Sequence, residues 1–302
     1  MEIVRELREI PNLSLALGLF DGIHIGHKAV IDCAVDYATS VGTEAAIVTF
    51  NQNPHSYLNE ITPKYILTLD DKYRILEELG IGYVIELDFA QICNMSPAEY
   101  LENVLVKYFS PMAISTGFNH KFGHERAGTV KFLSDNQDKY GYVFFATPPQ
   151  AIWGDIISST SIREFIKSGA TDMAATMLGR KFSVEGTVIK GRELGRTIGY
   201  PTANLIFPLD LIEPPYGVYG VDVTLEDGSV KKGIANFGVS PTVSNDGIAI
   251  LEVHILDFDG DLYDKQIRLS FNAMVRREIK FDNLEDLKTQ IDFDIQALNQ
   301  IS

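Results

Sequence analysis

In the first half of the chain, short apolar runs alternate with longer segments whose apolar residues recur at every third or fourth position. The short runs predict strands, and the longer amphipathic segments predict helices. In chain order these segments are Leu13–Leu19, Lys28–Val41, Ala45–Phe50, Leu69–Leu79, Tyr83–Leu87, Pro97–Tyr108, Met112–Thr116, Thr129–Tyr140 and Tyr142–Ala146. The alternation predicts an α/β unit with a doubly wound parallel sheet of about five strands.

The pattern changes in the second half, after two further helical segments at Ser161–Ser168 and Asp172–Leu178. Short β-rich runs separated by Gly and Pro follow at Phe182–Lys190, Gly217–Leu225, Val230–Phe237, Ile248–Ile255 and Gln266–Phe271. Their regular spacing predicts a closed β-barrel. Apolar residues three and four positions apart in Leu284–Ile301 predict a last helix that packs on the barrel. We therefore predict an α/β domain at residues 1–181 and a β-barrel domain at residues 182–302.

The composition restricts the partners of the chain. Its 302 residues are 45% hydrophobic, which is enough to bury a core in each of two domains. The formal net charge of −15 repels nucleic acid and anionic membranes, so we expect neither as a partner. A phosphate site must then be built locally, from backbone amides, helix N-termini, Mg²⁺ and a few selected cations.

Cysteine usage and the N-terminus bear on the compartment. Two cysteines, Cys33 and Cys93, are too few for a disulfide framework or a structural zinc site. The first residues lack the basic start and apolar run of a signal peptide, and no stretch approaches transmembrane length. These features predict a cytoplasmic protein.

The first candidate for chemistry is the segment Gly18–His27, which follows the first predicted strand and leads into a helix. His24 and His27 are three positions apart, so both imidazoles lie on one face at the helix start. The glycines of the segment let phosphates approach the backbone, and the helix dipole adds positive potential. Imidazole N–H groups there could stabilise the charge that forms on an ATP α-phosphate under attack. Two isolated histidines would more often be capping residues or metal ligands.

The second candidate is Ile157–Arg163, where Ser159 and Thr160 are expected to cap a helix and to bind phosphate oxygens. Arg163, in the first turn, offers a fork of donors to the same anion. Taken alone, this segment is typical of an ordinary helix start.

Together these segments resemble the HxGH nucleotidyltransferase superfamily, whose second motif is Ser-Ser-Thr-x-x-Arg. A further segment, Thr116–Gly123, resembles the Gly-x-Asn/Asp-x-x-Phe-Gly segment of bacterial FAD synthetases. The resemblance implies that Asn119 binds the nucleotide or the flavin. The nucleotide contacts that it implies in the first loop are Gly18, Phe20, Asp21 and Gly22. The sequence departs from that family at Asn53, where the strand ending at Phe50 normally runs into Pro-His-Pro.

The β-rich half contains a glycine-rich segment, Gly186–Leu205, that resembles the riboflavin kinase signature. Gly191 and Gly195 are expected to present amide donors to ATP phosphates. The oxygens of Thr202 and Asn204 are hard ligands suited to Mg²⁺. Glu252 matches the position that the family uses as the base toward the ribityl 5′-hydroxyl. On its own, a strand glutamate of this kind would more often be a solvated surface residue.

The resemblance covers the chain from about Leu13 to Ile301 and is to the bacterial bifunctional riboflavin kinase/FMN adenylyltransferases. It implies a Rossmann-like nucleotidyltransferase domain that transfers AMP from ATP to FMN, giving FAD and pyrophosphate. It also implies a riboflavin-kinase barrel that phosphorylates riboflavin, with Mg²⁺ serving both steps. The expected partners are therefore ATP, riboflavin and FMN, and a monomer is assumed.

Three alternatives remain open at this point. Asn53 could mark a weakened adenylyltransferase, which would leave a riboflavin kinase alone. A flavin-binding regulator could keep both pockets and turn over neither substrate, although binding alone does not need the chemistry of His24, His27 and Glu252. A nucleic-acid-binding barrel is disfavoured because the basic clusters, such as Arg276-Arg277, are short in an acidic chain.

Overall fold

The computed structural model describes residues 1–59, 64–191, 194–239 and 248–301. The chain forms two compact units, Met1–Ser159 and Thr160–Ser302. This division falls before the change of sequence pattern near residue 182. The division of the chain into domains at residues 1–181 and 182–302 therefore stays a prediction.

The first unit contains the five strands that the apolar runs of the sequence predicted and five short strands that those runs did not indicate. The strands are β1 Glu2–Val4, β2 Leu13–Leu17, β3 Glu44–Phe50, β4 Tyr83–Leu87, β5 Ala113–Gly117, β6 Lys121–Phe122, β7 Gly128–Thr129, β8 Val143–Thr147, β9 Ala151–Ile152 and β10 Asp155–Ile156. Six of them form a parallel sheet in the order β1-β4-β3-β2-β5-β8. We expected about five strands. The extra edge strand, β1, has three residues and is too short for its period to be read from sequence.

The helices of the first unit lie between the strands, as the alternation predicted. They are α1 Ile25–Val41, α2 Pro54–Asn59, α3 Leu69–Glu78, α4 Phe89–Ile92, α5 Pro97–Tyr100, α6 Lys107–Phe109 and α7 Val130–Tyr140. A π-helical turn, Leu101–Val106, joins α5 to α6, so the predicted helix Pro97–Tyr108 is one continuous helical stretch. It begins at a capping box in which Ser96 and Glu99 exchange hydrogen bonds between side chain and backbone.

Both faces of the parallel sheet are covered, which explains why its strands are continuous apolar runs. On one face Ala16 and Ile47 pack in a cluster with α1, where Ile31 is fully buried. On the other face Leu15 belongs to a second cluster that includes Leu105. Burial on both faces fixes the strand ends, and with them the loops that follow each strand.

The second unit begins with two helices and continues as antiparallel strands. Its elements are α8 Ser159–Ser168, α9 Thr171–Leu178, β11 Ser183–Thr187, α10 Leu194–Thr197, β12 Ala203–Ile206, β13 Gly217–Thr224, β14 Val230–Val239, β15 Ala249–Ile255, β16 Gln266–Arg277 and α11 Leu284–Ile301. The six strands pair in the order β11-β16-β13-β14-β15-β12. A bridge between Ile189 and Asn204 joins the two ends of this sheet. The predicted barrel is thus confirmed as a nearly closed six-stranded one, and β12 is a strand that the sequence pattern had not indicated.

The last helix covers part of the outer face of the barrel, as predicted. Val218 and Ile234 on the strands form a buried cluster with Leu298 of α11. The Arg276 guanidinium lies 2.8–2.9 Å from the carboxylate of Asp294, whose side chain is only 3% exposed. This partly buried ion pair therefore links α11 to β16. None of the described helices is long and apolar enough to cross a membrane.

Candidate functional site

The loop between β2 and α1 has a strained backbone. Phe20, Gly22 and Ile23 adopt positive φ angles of 51°, 83° and 37°. Only glycine adopts this conformation without a steric penalty, and a Cβ at Gly22 would also approach the Ile66 side chain to 3.1 Å. Strained non-glycine residues persist where the surrounding structure holds them, and they cluster at functional sites.

His24 and His27 lie at the start of α1 with their rings in contact. His24 is the N-cap residue, and its Nδ1 accepts a hydrogen bond from the His27 backbone N–H at 3.2 Å. The two rings stack with 3.6 Å between centroids and 17° between planes. A Cβ at Gly26 would lie 3.2 Å from the His24 ring, so glycine between the histidines leaves room for this arrangement.

The Phe20 side chain packs against the ring of His27. Its side chain is 1% exposed and meets the His27 ring edge to face, with 5.4 Å between centroids. A Cβ at Gly18 would lie 3.1 Å from the Phe20 ring. The Phe20 side chain is therefore part of the core, and a nucleotide contact at this position is left to its backbone.

Asp21 is held from two directions within the first unit. Its Oδ1 accepts a hydrogen bond from the Ile66 backbone N–H at 3.1 Å, and its carbonyl accepts one from Ser159 Oγ at 2.9 Å. Ser159 is thus brought to the loop that carries the histidines. Because α8 begins at Ser159, the capping position falls on Ser158, one residue before the pair that we expected to cap it.

Thr160 and Arg163 follow on α8, and the division of the chain assigns both of them to the second unit. Thr160 is exposed and Arg163 is partly buried. Both lie in the first two turns of the helix, where backbone N–H groups and a positive dipole favour anions.

Asn119 lies at the tip of a tight turn that follows β5. The His120 backbone N–H donates to the Gly117 carbonyl at 3.0 Å, and the Phe118 N–H donates to Thr147 at 2.9 Å. Asn119 is exposed at this tip. In the sheet, β2 and β5 are neighbours on either side of the point where the strand order reverses. Ligands of doubly wound sheets bind outside the carboxyl ends of the strands at such a point, and the loops with Asn119 and with His24 both leave from there.

Asn53 follows β3, and His120 follows Asn119 in the turn after β5. Asn53 is buried and its carbonyl accepts the Ser56 N–H at 2.9 Å, so it stands at the start of α2. Sequence reasoning did not single out His120, whose ring stacks on Phe122 at 5.8 Å. Burial, with a smaller contribution from Arg126, lowers the pKa of His120 to about 4.

In the second unit, three polar residues stand side by side on neighbouring strands. Glu252 on β15 is the register partner of Asn204 on β12 and of Asn236 on β14. Directly opposed residues of antiparallel strands share a face, so the three side chains form one row. Asn204 is 6% exposed, whereas Glu252 is exposed. The structure thus brings the predicted base next to one of the two predicted magnesium ligands.

Asn204 also depends on the glycine-rich segment. A Cβ at Gly191 would lie 2.5 Å from the Asn204 Nδ2 atom, which is too close for any other residue. Nδ2 itself donates to the Thr202 carbonyl at 3.4 Å, which leaves the amide oxygen as the atom suited to a cation. Arg192 and Glu193 of the same segment lie outside the described residues.

The rest of the glycine-rich segment is closely folded. The Gly195 carbonyl accepts the Tyr200 N–H at 2.8 Å, and a Cβ at Gly195 would collide with the Tyr200 carbonyl oxygen. The Tyr200 hydroxyl donates to Asp292 of α11 at 2.5 Å. The ring of His254 packs against Tyr200, and its Nδ1 lies 2.9 Å from the Pro201 carbonyl oxygen. The segment is therefore tied to both β15 and α11.

A cavity of about 740 Å³ opens beside this segment. It is lined by Gly199, Pro201, His254, Ile255, Leu256, Asp257, Phe258, Asp259 and Ile295. Its position next to Thr202 in the chain, and its mixture of apolar and acidic groups, suit an organic ligand with polar substituents. Nothing in the sequence pattern had indicated it, because its walls come from the glycine-rich segment, the end of β15, the residues that follow β15, and α11.

The chain was compared with known proteins. The FAD synthetase family model matches residues 7–161, and the riboflavin kinase family model matches residues 178–302. A bifunctional riboflavin kinase/FMN adenylyltransferase of Haemophilus influenzae is 32% identical and covers 98% of both chains. That of Pseudomonas fluorescens is 34% identical over 100% of this chain and 98% of its own.

The fold has a solved counterpart of similar extent. A crystal structure described as a macrolide-efflux protein from Streptococcus pneumoniae has a TM-score of 0.88 and 30% identity, and covers 98% of each chain. The two family models together span both units, and the relatives align over the whole length. The chain belongs to the family of bifunctional riboflavin kinase/FMN adenylyltransferases.

Proposed function

We propose that this protein makes FAD from riboflavin in two steps that each consume ATP. The barrel phosphorylates riboflavin to FMN, and the α/β unit transfers AMP from a second ATP to FMN. The observation that carries the proposal is that both sets of residues expected from the family motifs are present. The loops that carry His24 and Asn119 leave the sheet at its reversal point, and Asn204 lies opposite Glu252 on neighbouring strands.

In the adenylyl transfer, a phosphate oxygen of FMN attacks the α-phosphorus of ATP, and the bond to pyrophosphate breaks. Negative charge grows on the α-phosphate oxygens and on the departing pyrophosphate. His24, His27 and the N-terminus of α1 would stabilise that charge without forming a covalent bond to the nucleotide. We assign the loop residues Gly18, Phe20, Asp21 and Gly22 to the nucleotide, with their backbone as the contact.

The remaining residues of the first reaction come from two other segments. Ser159, Thr160 and Arg163 would bind phosphate oxygens at the start of α8. Asn119 would contact the nucleotide or the flavin from the tip of its turn. Each of these assignments rests on position in the family motif together with the chemistry of the side chain.

In the kinase reaction, Glu252 would accept the proton of the ribityl 5′-hydroxyl while that oxygen attacks the γ-phosphorus and the bond to ADP breaks. Gly191 and Gly195 would present backbone amides to the phosphates. Thr202 and Asn204 would hold Mg²⁺, since their oxygens are hard ligands and the Asn204 amide oxygen is the atom suited to a cation. Bound there, Mg²⁺ would neutralise charge on the phosphates of ATP. The cavity beside Pro201 would hold the organic part of a substrate.

We also propose the setting in which the protein acts. Residues 1–181 would be the adenylyltransferase domain and residues 182–302 the kinase domain. The protein would work in the cytoplasm as a monomer on small molecules. It would not bind nucleic acid, because its net charge of −15 repels phosphate backbones.

The test is to incubate purified protein with ATP and Mg²⁺, starting in one series from riboflavin and in another from FMN, and to separate the flavins by chromatography. FAD from both starting flavins is the expected result. FMN as the last product from riboflavin, with no FAD from FMN, would replace the proposal by a kinase with an inactive first domain. Binding of flavin without any product would replace it by a flavin-binding regulator.

A further inference from the structure

Lys72 of α3 reaches the loop that leads to the two histidines. Its Nζ donates a hydrogen bond to the Leu19 carbonyl oxygen at 2.9 Å. The second donor to that oxygen is the hydroxyl of Thr49, at 3.5 Å. Of these two side-chain hydrogen bonds to Leu19, the residue immediately before the strained turn, the one from Lys72 is the shorter.

The turn needs such contacts because its conformation is intrinsically unfavourable. Phe20 and Ile23 have positive φ angles, a backbone conformation that is sterically unfavourable for residues other than glycine. The turn is held by Lys72 at Leu19, and by Ile66 and Ser159 at Asp21. Since His24 follows directly as the helix cap, movement of the turn would move the His24 ring and the ring of His27 stacked on it.

Lys72 also offsets a charge that works against the proposed substrate. Asp21 lies in the loop assigned to ATP, and its carboxylate would repel phosphates. The charges of Asp21 and Glu86 both favour the ammonium form of Lys72 and so oppose the lowering of its pKa by burial. Glu86 already accepts hydrogen bonds from the Tyr73 hydroxyl at 2.5 Å and from Arg5 Nε at 3.1 Å. The Lys72 ammonium, bound to the Leu19 carbonyl two residues before Asp21, therefore offsets part of the negative charge that Asp21 brings to the phosphate loop.

We propose that Lys72 is a positioning residue for adenylyl transfer, which holds the turn at Leu19 and neutralises Asp21 so that His24 and His27 meet the ATP phosphates. The proposal rests on the adenylyltransferase function proposed above. It assigns a role to a residue of α3, outside every motif that the sequence offered.

Three substitutions in the full-length chain separate the hydrogen bond from the charge. Lys72→Met removes both, and we expect FAD formation from FMN to fall about 10- to 100-fold, mainly in kcat, because the histidines lose their position. Lys72→Gln keeps a shorter donor without charge, so its rate of FAD formation should lie between those of Lys72→Met and the wild type. Lys72→Arg keeps the charge and a long donor and should recover most of the activity. Riboflavin phosphorylation should stay at the wild-type rate in all three variants.

The pH profile gives a readout that a merely structural lysine would not move. Burial lowers the pKa of Lys72, while Asp21 and Glu86 oppose that shift. Arg5, which contacts Glu86, stays charged, and the pKa of Tyr73 is raised to about 12, so it stays neutral in this range. As the pH rises through the lowered pKa of Lys72, the ammonium loses its proton and adenylyl transfer should decline. The Lys72→Arg variant should lack that decline because arginine keeps its charge.

Lys131→Met is the matched control, because Lys131 is an exposed lysine of the same unit that pairs with Asp135. It should leave both activities unchanged. A Lys72→Met variant with at least half the wild-type rate of FAD formation would overturn the assignment, as would a Lys72→Arg variant as slow as Lys72→Met. If Lys72→Met unfolds at the assay temperature, the comparison of wild-type and Lys72→Arg pH profiles decides, and identical profiles would overturn the assignment. Wild-type protein that forms no FAD from FMN would instead overturn the proposed function itself, and this assignment with it.

Discussion

Asn204 and Glu252 lie directly opposite each other on the antiparallel strands β12 and β15. One is buried and the other is exposed, so the pair spans the edge between the barrel and solvent. A carboxylate beside an amide that is suited to a cation is an arrangement in which an alcohol could lose its proton close to a magnesium-bound phosphate. This pairing is the geometric basis of the proposed kinase site.

Glu252→Gln tests the base. The amide cannot accept the hydroxyl proton, so riboflavin phosphorylation should fall by about 10²- to 10⁴-fold, while FAD formation from FMN should remain. Both rates are measured by separating the flavin products. Glu185→Gln is the control, since Glu185 is a strand carboxylate of the same barrel that pairs with Arg268. Equal loss of both activities in Glu252→Gln would contradict two separate sites.

Gly191→Ala tests the contact between the glycine-rich segment and Asn204. The new methyl group would lie 2.5 Å from Asn204 Nδ2, so the Asn204 side chain must move. We expect a loss of kinase activity of about tenfold or more, and a higher Mg²⁺ requirement, with adenylyl transfer unchanged. Gly186→Ala is the control on the adjacent strand, where the added Cβ would lie at an ordinary 3.4 Å from Leu205. Wild-type Mg²⁺ dependence in Gly191→Ala would argue against Asn204 as a ligand.

Gly26→Ala should separate stability from activity. Alanine favours the helix by about 1 kcal/mol over glycine, so the melting temperature should hold or rise. Its Cβ would lie 3.2 Å from the His24 ring, so we expect the ring to shift and FAD formation from FMN to fall about tenfold. Gly42→Ala at the other end of α1 gives the opposite pattern. Its φ of 73° should cost stability, while the histidines stay in place and the rate is kept.

Because His120 is buried, we expect the stability of the first unit to fall in acid. Burial lowers its pKa to about 4, below the value of about 6.5 expected in the unfolded chain. The unfolded state therefore binds the proton first, and stability should fall as the pH drops from about 6.5 towards 4, by on the order of 2–3 kcal/mol. His120→Phe keeps a ring against Phe122 and should remove this loss in urea unfolding measured across that pH range. His124→Phe is the control, because the His124 side chain is 54% exposed, and an acid loss unchanged in His120→Phe would assign the effect to other groups.

Local patterns predicted most of the secondary structure, since apolar periodicity and turn residues depend on near neighbours in the chain. The alternation in the first half corresponds to the parallel sheet, and the short runs of the second half correspond to the barrel. The predictions failed where the local signal was weak. Strand β1 has only three residues, and β12 is a four-residue strand within the glycine-rich segment, where the apolar pattern indicated no strand.

The sequence by itself determined the two architectures, the family and the residue types that carry the chemistry, because each of these follows from spacing within one segment. The tertiary structure alone decided which segments meet. The pairing of Asn204 with Glu252 depends on the register of two strands that are far apart in the chain, and the contact of Lys72 with Leu19 joins residues 53 positions apart. Such contacts have no local signature, since strand register and helix packing are fixed by which side chains the folded core buries and not by the order of neighbouring residues.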